Sequence, residues 1–120
     1  MYKRIQITIK EARNLTNQDG LFGKNDAYIS IKIGGKEQRT KVLKNAGGNA
    51  TWNEVLQFEA NENDEIDVQV KDHDTIKDDL IGSIQIPVLG IFHIGQIENW
   101  YTISLGSKNS GEVLLHLKAH

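Results

Sequence analysis

The chain has 120 residues, with 14 Lys and Arg against 16 Asp and Glu and a formal charge of −2. That length suits one domain, 1–120, and the near-neutral charge argues against a general nucleic-acid binder. A 38% hydrophobic and 25% charged composition argues against disorder, and the lack of cysteine removes disulfide scaffolds, thiolate metal sites and cysteine nucleophiles.

The first element is residues 3–10, where Ile5, Ile7 and Ile9 alternate with Gln6, Thr8 and Lys10. A Gly, Asn and Asp cluster follows at 17–26. Ile29, Ile31 and Ile33 then alternate with Ser30 and Lys32, and Gly34-Gly35 suits a two-residue hairpin turn with positive φ. A weaker strand is expected near 38–43 and another over 52–60, where Trp52, Leu56 and Phe58 share a core face. Ile66, Val68 and Val70 alternate with Asp67, Gln69 and Lys71, leading into a second acidic cluster at 72–79. A strand over 80–86 ends at Pro87, where a missing N–H costs little. Residues 88–97 are apolar without strict alternation and predict a loop with one helical turn. The last strands are expected at 100–105, with Trp100 at the core or its rim, and at 112–118, with Val113, Leu115 and Leu117 buried. About eight strands of period two, punctuated by turn residues, predict an antiparallel β-sandwich or barrel. No apolar run is long enough to span a bilayer, and the N-terminus lacks the apolar core of a signal peptide. The expected location is therefore cytoplasmic.

Six of the eight aspartates fall in two windows, Asp19 with Asp26, and Asp72, Asp74, Asp78 with Asp79. Each window follows a strictly alternating strand, so two loops at one end of a sandwich would converge their carboxylates. Gathered carboxylates repel one another unless their pKa values rise or cations neutralise them. Lys24 and Lys77 are the local cations in these windows. An all-oxygen donor set on irregular loops suits Ca²⁺, which takes about six to eight oxygens in flexible geometry. With no cysteine and no suitably spaced histidine, zinc does not fit. An EF-hand does not fit either, because counting from Asp72 puts Ile76 and Lys77 where a ligand and a glycine belong. Turn capping by aspartate and a catalytic carboxylate pair are the rival readings, and no nucleophile or base motif accompanies the latter.

Three ordered segments resemble a C2 domain. They are Asn14-Leu15 through Asp19, Phe22-Gly23-Lys24-Asn25-Asp26-Ala27-Tyr28; then Lys41-Val42 through Asn49-Ala50-Thr51-Trp52-Asn53-Glu54; then Val70-Lys71-Asp72-His73-Asp74 through Asp78-Asp79-Leu80-Ile81-Gly82. The likeness runs from about residue 3 to 118 and is most similar to small plant-type C2 proteins. It implies an eight-stranded antiparallel Greek-key sandwich of type II (permuted) topology. It also implies a non-catalytic module that binds Ca²⁺ at one tip and then phospholipid. The carried-over metal ligands are Asp19, Asp26, Asp72, Asp74 and Asp79, with Asp78 and the backbones of Gly20 and His73 as alternatives. Asp79 is preferred to Asp78 because it stands three before Gly82. The seven-residue step from Asp19 to Asp26 is one longer than the common pattern, and Ala27 and Ala50 replace two typical prolines.

Two calcium ions need roughly 12–16 oxygens, more than the five aspartates supply, so water or lipid phosphate completes the shell. The two windows together carry −4, which two Ca²⁺ would cancel, an electrostatic switch towards an anionic phospholipid surface. Leu21, Phe22 and Ile76 are the apolar loop residues expected to enter the headgroup layer, reversibly and peripherally. Register from the Gly34-Gly35 turn places Lys32 opposite Glu37, Ser30 opposite Arg39 and Tyr28 opposite Lys41. Lys32, Arg39, Lys41 and Tyr28 then share an outward face that resembles the phosphoinositide groove of some C2 domains. The alternative function is a calcium-independent protein-interaction or phosphoinositide-binding adaptor. The −2 total thus divides into +4 over 28–44, −4 in the aspartate windows and −2 elsewhere.

Overall fold

The computed structural model describes residues 1–17 and 24–120. Alternating isoleucine, valine and leucine drive eight strands, because each run buries one face and hydrates the other. They are β1 (Tyr2–Arg13), β2 (Ala27–Ile33), β3 (Lys36–Arg39), β4 (Ala50–Asn61), β5 (Glu65–Asp72), β6 (Asp79–Pro87), β7 (Gln96–Leu105) and β8 (Lys108–Ala119), with the helix α1 (Val88–Ile94) between β6 and β7.

All ladders are antiparallel, in the order β3-β2-β5-β6-β7-β8-β1-β4. Ser83 and Ser104 join β6 to β7, so this seam separates two four-stranded halves. The outer strands β3 and β4 also approach, with Gln38 Nε2 donating to the Gln57 carbonyl at 2.7 Å. The sandwich is thereby almost closed into a barrel. Ile5, Ile7, Ile9, Ile29, Ile31, Val68, Val70, Val113, Leu115 and Leu117 are fully buried between the halves. Burying each such side chain contributes about 1.5–3 kcal/mol. The strand order is consistent with the permuted C2 topology.

Several expectations change in detail. β1 runs on to Arg13 through a register shift between Ile9 and Glu11, after which the buried parity passes to Ala12. One inserted residue has that effect because side chains alternate with period two. The segment expected as a loop with one helical turn is a seven-residue helix, with Val88 and Ile91 buried under it. The strand after it begins at Gln96 rather than 100, and Trp100 sits half-buried at the rim beneath the Arg13 guanidinium, 3.8 Å from its ring. The hairpin register is as expected over four pairs, and Gly34 and Gly35 take φ of 57° and 89°.

Following the strands places 14–17, 24–26, 40–49, 73–78 and the β7–β8 turn at one end of the sandwich. The Gly34-Gly35 turn, the 62–64 turn and α1 lie at the other. Asp26 and the 72–79 window are therefore carried to the same end, whereas Asp19 lies outside the described residues.

Candidate functional site

β2, β5 and β6 enter the acidic end side by side, so Ala27 pairs with Asp72 and Asp72 pairs with Asp79. The Asp26 N–H donates to Asp72 Oδ1 at 2.8 Å, and the His73 N–H donates to the Asp26 carbonyl at 2.8 Å. Asp72 is only 2% exposed. The Asn45 N–H from the 40–49 loop donates to Asp26 Oδ1 at 2.8 Å, so three loops meet at Asp26. Beneath them Asn25 is 0% exposed. Its side-chain amide donates to the carbonyls of Thr16 and Gly47, each at 2.9 Å.

The strand register sets Asp26, Asp72 and Asp79 at neighbouring backbone positions, with Ala27 opposite Asp72 and Asp72 opposite Asp79. The structure turns Asp74 and Asp78 to local partners. Asp74 Oδ1 accepts the Thr75 N–H at 2.6 Å. Asp78 Oδ1 accepts the Asp74 N–H and faces His73 Nδ1, each at 3.1 Å, while its Oδ2 accepts the Tyr28 hydroxyl. That hydroxyl is the largest cause holding the Asp78 carboxyl below its ordinary range. Burial and the same bond push the Tyr28 phenol up. Ile76, at the tip of this loop, is 94% exposed. Asp19, Gly20, Leu21 and Phe22 lie outside the described residues. Among the described residues, no three His, Asp or Glu side chains gather closely enough to hold a metal by themselves.

The outward face of β3, β2 and β5 departs from the expected cationic patch. Tyr28 is 2% exposed rather than presented to solvent. The Arg39 guanidinium lies 5.5 Å from its ring, and Asp78 takes its hydroxyl. Tyr28 does not pair with Lys41, because the β2–β3 ladder stops at Ser30 and Arg39. The Thr40 side chain takes the next rung, its Oγ1 accepting the Ile29 N–H at 3.0 Å. Lys41 is turned towards β4 instead, its N–H donating to Glu54 Oε2 and its carbonyl accepting from Trp52 Nε1. The cross-strand partner of Tyr28 is Lys71 on β5, which sequence reasoning missed. A non-local pairing of this kind leaves no signal in the local pattern.

Two adjoining depressions cover this face. One, of about 460 Å³, is lined by Tyr28, Glu37, Gln38, Arg39, Lys71 and Asp78. The other, of about 170 Å³, is lined by Ser30, Lys32, Glu37, Asp67 and Gln69. Lys32, Arg39 and Lys71 are thus matched by Glu37, Asp67 and Asp78.

Comparison with known proteins follows the same lines. The C2 domain family model matches residues 3–103. Extended synaptotagmin-3 of Mus musculus is 34% identical over 120 residues, covering 95% of this chain and 13% of that protein. Elicitor-responsive protein 1 of Oryza sativa subsp. japonica is 28% identical, covering 83% of this chain and 68% of that protein. The calcium-bound pair of C2 domains from extended synaptotagmin 2 superposes with a TM-score of 0.87 at 26% identity, covering 98% of this chain and 45% of that one. The chain therefore spans about an eighth of the extended synaptotagmin it matches. With an eight-stranded antiparallel sandwich and a family match across most of its length, the chain belongs to the C2 domain family.

Proposed function

We propose that this C2 domain is a non-catalytic module that docks reversibly on anionic phospholipid surfaces in a calcium-dependent manner. The observation that carries the reading is the buried Asp72 carboxylate, set between Asp26 and Asp79 where three strands end. A carboxylate withdrawn from water, at a sheet end to which the adjoining segments also bring Asp26 and Asp79, favours a neutralising cation. The all-oxygen donors fit a hard ion in kind. Asp26, Asp72, Asp74 and Asp79 would hold calcium together with Asp19 from the loop outside the described residues, and we infer two ions. Asp79 is preferred to Asp78, whose oxygens already serve Tyr28, Asp74 and His73. Calcium, when bound, supplies positive charge and open coordination positions for lipid oxygens. Ile76, exposed in the 73–78 loop, would enter the headgroup layer, as would Leu21 and Phe22 from the loop outside the described residues. The calcium-bound extended synaptotagmin 2 domains support the reading through their shared fold.

Sedimentation with phosphatidylserine vesicles tests it. The native chain is expected to pellet in calcium and to stay in solution in EDTA. Asp72→Asn combined with Asp74→Asn should abolish the calcium-dependent fraction while circular dichroism still reports the folded sandwich. Equal binding in calcium and EDTA would favour a calcium-independent adaptor instead.

A further inference from the structure

We propose that Glu37 closes the outward groove of β3-β2-β5 to multiply charged phosphates, so that this module does not select phosphoinositide headgroups. This deepens the proposed membrane docking and rests on that reading, because it states which headgroups the docked face rejects.

The groove gathers Lys32, Arg39 and Lys71 but is matched in charge by Glu37, Asp67 and Asp78. Lys32 is flanked in the two ladders by Glu37 on β3 and Asp67 on β5. Ser30 lies between Arg39 and Gln69, and Tyr28 faces Lys71. The face is a checkerboard in which each cation has an acidic neighbour. Glu37 is the wall common to both depressions. Its Oε2 accepts the hydroxyl of Ser30, a buried residue on the groove floor, which pins the carboxylate in place. A carboxylate held there among Lys32, Arg39 and Lys71 takes the place a phosphate would need. It also repels an incoming anion, and like charges brought together across an interface are strongly unfavourable. The Ser30 hydrogen bond, and then Lys71, Lys32 and Arg39, hold the Glu37 carboxyl below its ordinary range, so it is charged at neutral pH. The remaining basic residues of the segment do not reopen the groove, since Lys36 and Lys41 line neither depression.

The test compares the native chain with Glu37→Gln, and with Glu37→Gln combined with Asp67→Asn, in EDTA. The probes are phosphatidylcholine vesicles with and without phosphatidylinositol 4,5-bisphosphate. Glutamine keeps an acceptor for Ser30, and thermal melting confirms that each variant is folded. The native chain is expected to gain little from the phosphoinositide. Each removed charge should strengthen binding by about tenfold, the scale of a single relieved charge contact. Free inositol 1,4,5-trisphosphate should reverse the gain, which places it in the groove rather than in the bilayer. Tight native binding to phosphoinositide vesicles in EDTA would overturn the proposal. So would folded variants that gain nothing, or a gain that the free headgroup does not reverse. Binding to phosphatidylserine in calcium is measured in parallel, and its loss would count against the calcium reading without touching the groove.

Discussion

At the scale of single residues, the acidic end depends on an amide as well as on its carboxylates. Asn25 is fully buried and bridges the carbonyls of Thr16 and Gly47, which belong to two different loops. Its own carbonyl accepts the Ala46 N–H at 2.8 Å. Replacing it with alanine removes the donor to two part-buried carbonyls, and each hydrogen bond lost costs about 0.5–1.5 kcal/mol. Asn25→Ala is therefore expected to lower unfolding free energy by about 1–3 kcal/mol in urea titration. It should also weaken the proposed calcium binding, since Asp26 follows directly. Unchanged stability would show that the loops hold together without the amide. Asn25 falls within the first C2-like segment, but no local pattern marks its burial or its partners, whereas Asp72 announces itself through the Asp72-His73-Asp74 spacing. The sequence also points to Tyr28, but as an exposed residue. Its burial comes from Arg39 and Asp78, which sit on other elements.

At the scale of elements, the strictly alternating strands were legible because one buried face writes a period of two into the chain. Ile5, Ile7 and Ile9, and likewise Val113, Leu115 and Leu117, occupy the core as the pattern predicts. The pattern misleads where the period breaks. The shift between Ile9 and Glu11 extends β1 past its apparent end, and Asn53, at φ 52°, marks a similar irregularity in β4. Gln96, Glu98 and Asn99 hide the start of β7 because they are exposed strand residues with no apolar alternation. The seam between β6 and β7 depends on Gly82. A Cβ there would stand 2.1 Å from Ser110 Oγ and 3.1 Å from Ile103 Cδ1. Ser110 is itself buried. Overpacking of this kind typically costs about 1–3 kcal/mol, so Gly82→Ala should lower the melting temperature. A variant that melts with the native chain would mean that Ser110 and Ile103 can step aside freely.

At the scale of the whole molecule, the −2 charge conceals an arrangement that the topology makes physical. The adjacent strands β2, β5 and β6 deliver Asp26, Asp72 and Asp79 to one end, and the overlapping set β3, β2 and β5 carries Arg39, Lys32 and Lys71 along its outward face. The acidic end has few local cations, while the groove is neutralised by its own carboxylates. The sequence made the first contrast legible, since the aspartates cluster within short windows. It overstated the second, because Asp67 and Asp78 reach the groove from segments distant in the chain. The proposed consequence is a division of labour in which calcium, rather than a permanent basic patch, would govern membrane docking. Calorimetric titration of calcium into the native chain, with and without phosphatidylserine vesicles, tests this most directly. The account predicts a saturable calcium signal that tightens when vesicles are present, because lipid oxygens complete the ion's coordination. No calcium heat in either condition, alongside vesicle binding that persists in EDTA, would contradict it.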